Sequence, residues 1–257
     1  MRVLRMLALL VIFGLAVGAG FGLMTPLGVL APDLAAAASA RGVTLPSESR
    51  LARGQAQVAL PAGTPLSLPE PQDVSWRLTA PSLWPLGLSA DLTLGGPWQG
   101  QAALTGAALP AGAVTGSATV RAGAAEIINA PLLALQGAAE IVIDDMEVQV
   151  PGGRIDRLAG RLFWRDAAFR LDEEIVLGTV RGDLRALGPE SIAIALSNSG
   201  SDISLAGRAT LDLAARSVAL DVEVTLPEGE DGTARAILEG WGTGDGSTYR
   251  ITRTIPY

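Results

Sequence analysis

The chain has 257 residues, with 19 basic and 26 acidic side chains and a formal net charge of −7. Every basic residue is arginine, and Lys, His and Cys are absent. These absences exclude disulfides, zinc sites built from His or Cys, and nucleophile pairs that need His or Lys. The acidic balance argues against a nucleic-acid partner, which requires a basic face. We therefore expect a scaffold or binding module with no enzymatic activity, cofactor or bound metal.

The N-terminal part contains the strongest signal in the sequence. Residues 6–24 (MLALLVIFGLAVGAGFGLM) carry no charge, and as a helix they span roughly 28 Å, about the hydrocarbon thickness of a bilayer. Arg2 and Arg5 precede this segment and the next charge is Asp33, so the positive-inside rule places the N-terminus in the cytoplasm. The pattern predicts a single-pass membrane protein whose bulk lies on the side of the membrane opposite the cytoplasm, which in a bacterium is the periplasm.

A cleaved signal peptide is the alternative interpretation of this segment. Its apolar region is usually about 7–15 residues long, which is shorter than residues 6–24. The small residues AAAASA at positions 35–40 lie well beyond the apolar run, so we favour an uncleaved anchor. Within it, Gly14, Gly18 and Gly22 recur every fourth residue and form a smooth stripe, which predicts close contact with another membrane helix.

The rest of the chain divides into a connector and a β-rich domain. Residues 1–5 are the cytoplasmic start, residues 25–41 are the connector, and residues 42–257 form the periplasmic domain. In this domain apolar and polar residues alternate with a period of two, and Gly- or Pro-containing turn signals separate the runs. This pattern predicts an all-β fold of antiparallel strands, arranged as a twisted sheet, a sandwich or a groove-like body. No long amphipathic helix is expected after residue 41.

Two details of the strand pattern give sharper predictions. The alternating runs 203–213 and 218–226 are separated by a gap of hairpin length. Within residues 140–150 the apolar positions change from odd to even at Asp144-Asp145, and a β-bulge there restores a single apolar face. Each strand is apolar on one face only, so something must cover these faces. A second sheet, a partner protein and acyl chains are all open as the cover.

The candidate functional side chains are an acidic pair and the tryptophans. Adjacent residues on a strand point to opposite faces, so the pair at 144–145 does not converge on a substrate. Trp76 and Trp164 continue apolar strand faces and are expected in the core. Trp84 and Trp98 follow loop signals rich in Pro and Gly, and we predict that they anchor a partner.

The order of several short segments along the chain is informative about its family. After the apolar start come SRLARGQA (49–56), VSWRL (74–78), LAGRLFW (158–164), LGTVRGDL (177–184) and LAGRATL (205–211). In this order the chain resembles the protein N family of bacterial type II secretion systems. VSWRL after an anchored start is the most specific element, since the others are strand patterns that many β proteins share. A long Pro-rich insertion before VSWRL departs from the family pattern.

The resemblance implies an accessory or structural component beside the inner-membrane platform that moves folded proteins across the outer membrane. It implies other inner-membrane components as partners, and no catalytic residues. The alternative is a periplasmic lipid-binding or lipid-transfer protein, similar to AsmA-like and lipopolysaccharide-transport proteins, whose amphipathic strands cradle acyl chains. The two interpretations differ in whether the apolar face is closed by a second sheet or left as an open trough.

Overall fold

The structure is a computed structural model of the whole chain, and part of that chain is described. The described residues are 43–44, 46, 49–50, 52–58, 72–83, 86–96, 98–107, 112–123, 134–150, 154–170, 173–229 and 232–256. Residues 6–24 and the whole of the connector lie outside them. Among the described residues no helix has the length and apolar character needed to cross a bilayer.

The described strands form one antiparallel sheet in which chain order and spatial order are almost the same. Fourteen described strands follow the order β1 to β12, then β14 and β13. Their bounds are β1 Val43–Thr44, β2 Arg53–Val58, β3 Gln72–Leu83, β4 Leu86–Gly95, β5 Gln99–Ala107, β6 Gly112–Gly123, β7 Ala134–Val150, β8 Arg154–Arg170, β9 Glu174–Gly188, β10 Ser191–Ser199, β11 Ser204–Asp212, β12 Ser217–Thr225, β13 Thr243–Asp245 and β14 Thr248–Pro256. The all-β prediction is confirmed, and within the described residues the sheet is single and open and not a sandwich.

Local sequence explains why successive strands pair with each other. Short turns join several of them, and the β11–β12 hairpin closes with Asp212 paired to Ser217. In that turn the Ala215 amide donates to the Asp212 carboxylate at 2.8 Å, while Arg216 adopts a positive φ of 50°. Aspartate favours such turns because its side chain accepts a hydrogen bond from the backbone a few residues on. The predicted hairpin is confirmed.

The predicted bulge at Asp144-Asp145 is also confirmed. Ile143 pairs with Gly160 and Asp145 pairs with Ala159, so Asp144 is the extra residue opposite β8. The register against β6 shifts at the same place. Further register shifts interrupt the pairs β3–β4, β8–β9 and β9–β10. Since bulges bend strands and increase their twist, this sheet curves along its length.

One short helix, α1 (Thr233–Trp241), packs on the sheet near its C-terminal edge. Its buried residues Ala234 and Leu238 lie against Val222, Val224 and Tyr249 in the main buried cluster of the described residues. The sequence analysis expected no long amphipathic helix after residue 41, and this nine-residue helix was not predicted. Ala234, Ile237 and Leu238 have the spacing of one helix face, but the glycines on both sides of the nine-residue segment are typical of turns.

Candidate functional site

The two faces of the sheet differ sharply in chemistry. Residues that pair directly across antiparallel strands lie on the same face. One row that crosses twelve strands reads Gly54, Trp76, Leu92, Ala102, Ala118, Ile143, Gly160, Leu184, Ile194, Ala209, Leu220 and Arg253. We call the side of the sheet that carries this row the apolar face. Until its last residue, the row has no charged or hydrogen-bonding side chain except the indole of Trp76.

The neighbouring row has the opposite character. It reads Gln55, Ser75, Thr93, Gln101, Thr119, Val142, Arg161, Asp183, Ala195, Arg208, Asp221 and Thr252. We call this side the polar face. With strands about 4.8 Å apart, the apolar row extends over roughly 50 Å. The sheet therefore carries a long apolar strip on one side and a hydrated surface on the other.

Most of the apolar face is only partly buried. Along the row, Ala102, Ile143 and Leu184 all retain some exposure, and Gly160 and Ala209 are buried. Within the described residues, the main contacts between elements join hydrogen-bonded neighbouring strands, and α1 is the element outside the sheet that packs on it. The described part of the chain thus supplies no second layer over the middle of the apolar face.

Trp76 and Trp164 lie on this face, as the alternation predicted, but they are half-buried and not fully enclosed. The Trp76 indole N–H donates to the Arg50 carbonyl at 3.2 Å, and its ring lies over Gly54. The Trp164 indole N–H donates to the Gln136 carbonyl at 2.7 Å. With their N–H groups bound to backbone, the two rings present hydrocarbon to the apolar face.

The C-terminal end of the apolar face is closed by α1 and an arginine. Arg253 ends the apolar row, and its guanidinium donates to the carbonyls of Trp241 and Gly240 at 3.3 and 3.5 Å. A cation at a helix C-terminus interacts favourably with its free carbonyl groups. The charge is therefore turned toward the helix end.

The polar face is crossed by pairs between arginines and carboxylates. Glu140, 7% exposed, is held by the Arg121 Nη2 and the Arg165 Nη2, each 2.6 Å from one of its oxygens. The hydrogen bond from Arg121, the largest cause, and that from Arg165 hold the pKa of Glu140 below its usual value, although burial acts in the opposite direction. These side chains join β6, β7 and β8.

The acidic pair at the bulge is divided between two arginines. Arg161 binds Asp144 through two nitrogens at 2.9 and 3.2 Å, and Arg157 lies 3.3 Å from Asp145. As predicted, the two carboxylates do not converge on one point. Among the described residues no group of three or more His, Cys, Asp or Glu side chains is placed to hold a metal ion.

Asp221 and Arg250 form a similar bidentate pair between β12 and β14, with both N–O distances at 2.7 Å. The hydrogen bond from Arg250 lowers the pKa of Asp221, and the same bond raises the pKa of Arg250. Both side chains are more than half exposed, so this pair orients the last long strand more than it stabilises the fold.

Comparison with known families decides what this two-faced sheet belongs to. A family model described as type II secretion system (T2SS), protein N matches residues 51–252. The chain belongs to the T2SS protein N family. It is therefore a component of a type II secretion system, and such a component works with other parts of that machinery. No curated protein and no solved structure matches the chain.

The match to the protein N family includes nearly the whole of the sheet, from β2 into β14. It confirms the resemblance read from VSWRL and the strand segments that follow it. The Pro-rich stretch before VSWRL falls inside the matched range.

Of the residues predicted to contact partners, one lies within the described residues and the others lie outside them. Gly14, Gly18 and Gly22 lie outside the described residues, and so does Trp84. Trp98 is half-buried after the β4–β5 turn, where its backbone amide donates to the Gln72 side chain at 3.1 Å. The structure thus brings none of these residues together, and their roles stay predictions.

The sequence analysis predicted an apolar face but not which residues of neighbouring strands meet in its row. Alternation within each strand shows which of its residues share a face, but it does not fix which residue of the next strand lies opposite. The register does so, and it aligns small and large apolar residues such as Ala118, Ile143 and Gly160 across three strands. The bulge at Asp144 was the available signal, since its purpose is to keep such a row in phase.

Proposed function

We propose that the chain is a single-pass inner-membrane component of a type II secretion system, with its sheet in the periplasm. It acts as an accessory or structural part in the export of folded proteins across the outer membrane. The observation that carries the proposal is the match of residues 51–252 to the protein N family. The uncharged segment 6–24, preceded by Arg2 and Arg5, supports the membrane anchor.

The proposed partners are the other inner-membrane components of the secretion machine. Two features of the sequence supply contacts: the Gly14, Gly18 and Gly22 stripe in the anchor, and the loop tryptophans Trp84 and Trp98 in the periplasm. We also propose that the chain performs no catalysis. Several carboxylates on the described polar face are engaged by arginines of neighbouring strands, as at Glu140, Asp144 and Asp221.

The secreted proteome of a strain that lacks this protein tests the proposed role. We expect folded exoproteins to accumulate in the periplasm, with the inner-membrane lipid composition unchanged. Reintroducing the wild-type chain should restore secretion, and a chain in which residues 6–24 are exchanged for a cleavable signal peptide should not. Normal secretion in the deletion strain would contradict the proposal.

A further inference from the structure

We propose that Arg53 and Arg77 form a binding site for an acidic segment of a partner protein. The proposal rests on the proposed function for its class of partner, which is another component of the secretion machine. Arg53 belongs to SRLARGQA on β2 and Arg77 to VSWRL on β3, and the register places the two directly opposite each other. They lie on the polar face beside the Gln55 and Ser75 pair, and both are exposed.

This pair of arginines is an exception to the charge pattern of the sheet. Elsewhere in the described register, charged residues that stand directly opposite each other have opposite signs, as do Arg121 with Glu140, Arg161 with Asp183 and Glu223 with Arg250. Directly opposed side chains have Cβ atoms about 4.5–5.5 Å apart, and like charges at this distance destabilise a sheet. Departures from such rules are expected at functional sites, where another interaction offsets the cost. The repulsion between Arg53 and Arg77 therefore points to an anion that binds both.

Both guanidinium groups are available to such an anion. Neither side chain forms a hydrogen bond or an ion pair with another residue of the described ranges. Asp91 stands opposite Arg77 on β4, but these two side chains form no ion pair. A carboxylate placed between Arg53 and Arg77 would accept hydrogen bonds from both guanidinium groups, whose geometry matches that of carboxylates, and it would remove their repulsion.

The backbone around the two arginines is held in place by neighbouring groups. The Ser49 hydroxyl donates to the Gln55 carbonyl at 2.6 Å and accepts from the Gln55 amide at 3.3 Å, and Ser49 is 1% exposed. The Arg50 amide donates to the Arg53 carbonyl at 3.0 Å, and the Trp76 indole donates to the Arg50 carbonyl. These bonds fix the chain on both sides of Arg53, so the two like charges stay opposed in the free protein.

The surroundings of the arginines indicate the class of ligand. They border an open depression of about 650 Å³ whose charged lining consists of Arg50, Arg53, Arg77 and Asp91, so the depression is positive in a chain of net charge −7. A site for a small molecule usually buries most of the ligand's surface in a cleft. This depression is open, and Arg53 and Arg77 are exposed. It therefore suits carboxylates that a protein segment presents, with charge complementarity as the basis of recognition.

Site-specific photo-crosslinking in the native membrane tests the proposal. Gln55 is exposed beside Arg53, and Ser197 is exposed on the polar face of β10, far from the arginine pair. Each is replaced by p-benzoylphenylalanine in the full-length chain, cells are irradiated, and mass spectrometry identifies the crosslinked peptides or lipids. We expect position 55, and not position 197, to give an adduct with a segment rich in Asp and Glu from another component of the secretion machine.

Substitution of the arginines shows whether their charges hold that segment. With Arg53→Gln and Arg77→Gln together, the yield of the adduct at position 55 should fall by about ten-fold or more, because hydrogen bonds to charged groups are strong. Arg185→Gln is the matched control, since Arg185 is exposed on the polar face and has Ala159 and Ala193 opposite it. That variant should leave the adduct unchanged. An adduct that survives loss of both arginines, a phospholipid adduct, or no adduct at position 55 would overturn the proposal.

The stability of the purified full-length chain tests the site without a partner. Arg53→Gln removes the repulsion and no hydrogen bond, so its Tm should equal or exceed that of the wild type. Arg121→Gln, which removes an arginine directly opposite Glu140, should lower the Tm. Equal losses of Tm in the two variants would show that Arg53 has a stabilising partner, and the proposal would fail. Neither measurement depends on secretion, so normal export in the deletion strain would remove the proposed role and leave an arginine-dependent acidic adduct intact.

Discussion

Glu140 is the buried charged residue among the described parts of the chain. Its side chain is 9% exposed, whereas the Arg121 and Arg165 side chains that bind it are 67% and 54% exposed. Two guanidinium groups, which themselves remain hydrated, therefore replace water as hydrogen-bond donors to the carboxylate. Such an arrangement avoids most of the desolvation cost of a fully buried pair and joins three strands at one point.

We predict that Glu140→Gln lowers the free energy of unfolding by about 2 kcal/mol, because hydrogen bonds to charged groups contribute about 1.5–3 kcal/mol. Urea unfolding of the full chain measures this change. Glu174→Gln is the matched control: Glu174 is 42% exposed and its contact with Arg170 is 3.4 Å long. That variant should change stability by less than about 0.5 kcal/mol. Equal effects of the two substitutions would show that burial of Glu140 is unimportant.

The same residue predicts a dependence on pH. The hydrogen bond from Arg121, followed by that from Arg165, lowers the pKa of Glu140 in the folded chain below its usual 4.5. A lowered pKa contributes stability that is fully present above the unfolded value and is lost as the pH falls through the folded one. The difference in stability between wild type and Glu140→Gln should therefore be constant near neutral pH and shrink below 4.5. A difference that grows on acidification would contradict this assignment.

At the scale of the strands, Gly160 shows how closely neighbouring backbones approach on the apolar face. A Cβ atom at this position would lie 2.5 Å from the carbonyl oxygen of Val142 and 3.2 Å from the Cα of Ile143. Both are backbone atoms of β7, which cannot move without changing the ladder. Glycine in a strand interior often marks such a close approach.

We predict that Gly160→Ala lowers the free energy of unfolding by about 1–3 kcal/mol, the usual cost of overpacking. Gly188→Ala, at the end of β9, is the control, since no atom lies within 4 Å of its added methyl group. That substitution should be neutral or stabilising by up to about 1 kcal/mol, through the unfolded chain. Thermal unfolding of both variants is the measurement. Equal stability of the two would mean that β7 and β8 adapt to the methyl group.

At the scale of the whole molecule, the absence of cysteine makes the proposed orientation directly testable. Single cysteines are introduced at Val3, ahead of the apolar segment, and at Ser197, an exposed position on the polar face of β10. A membrane-impermeant maleimide is added to cells whose outer membrane has been permeabilised. We expect labelling of Ser197→Cys at once, and of Val3→Cys only after the inner membrane is broken, because the positive-inside rule keeps Arg2 and Arg5 in the cytoplasm.

The reverse labelling pattern would show an inverted orientation and would remove the proposed periplasmic location. Labelling of Ser197→Cys with complete loss of the Val3 peptide would show that the segment is cleaved. A cysteine at Ala195, also exposed on the polar face of β10, serves as the control for accessibility of the sheet. Its labelling should follow that of Ser197→Cys in every condition.

Much of the fold was predictable because strand alternation is a local property. The faces of residues 203–213 and 218–226, the hairpin between them and the bulge at Asp144-Asp145 all followed from residues near one another in sequence. Helix α1 was missed because its nine residues, flanked by glycines, are too few to show a clear helical periodicity. The hydrogen bond from the Trp98 amide to the Gln72 side chain was not predicted either, because the two residues are distant in sequence.

The sequence by itself determined that each strand has one apolar and one polar side, and the order of its strand segments indicated the protein N family. Only the tertiary structure decided how those sides combine. Hydrogen-bond pairing between neighbouring strands sets a register over twelve strands, and that register brings apolar residues such as Leu92, Ile143 and Leu220 into one row. Alternation within a strand predicts an apolar face that must be shielded from water. The cover depends on contacts between residues far apart in sequence, which is why only the folded sheet distinguishes an open trough from a sandwich.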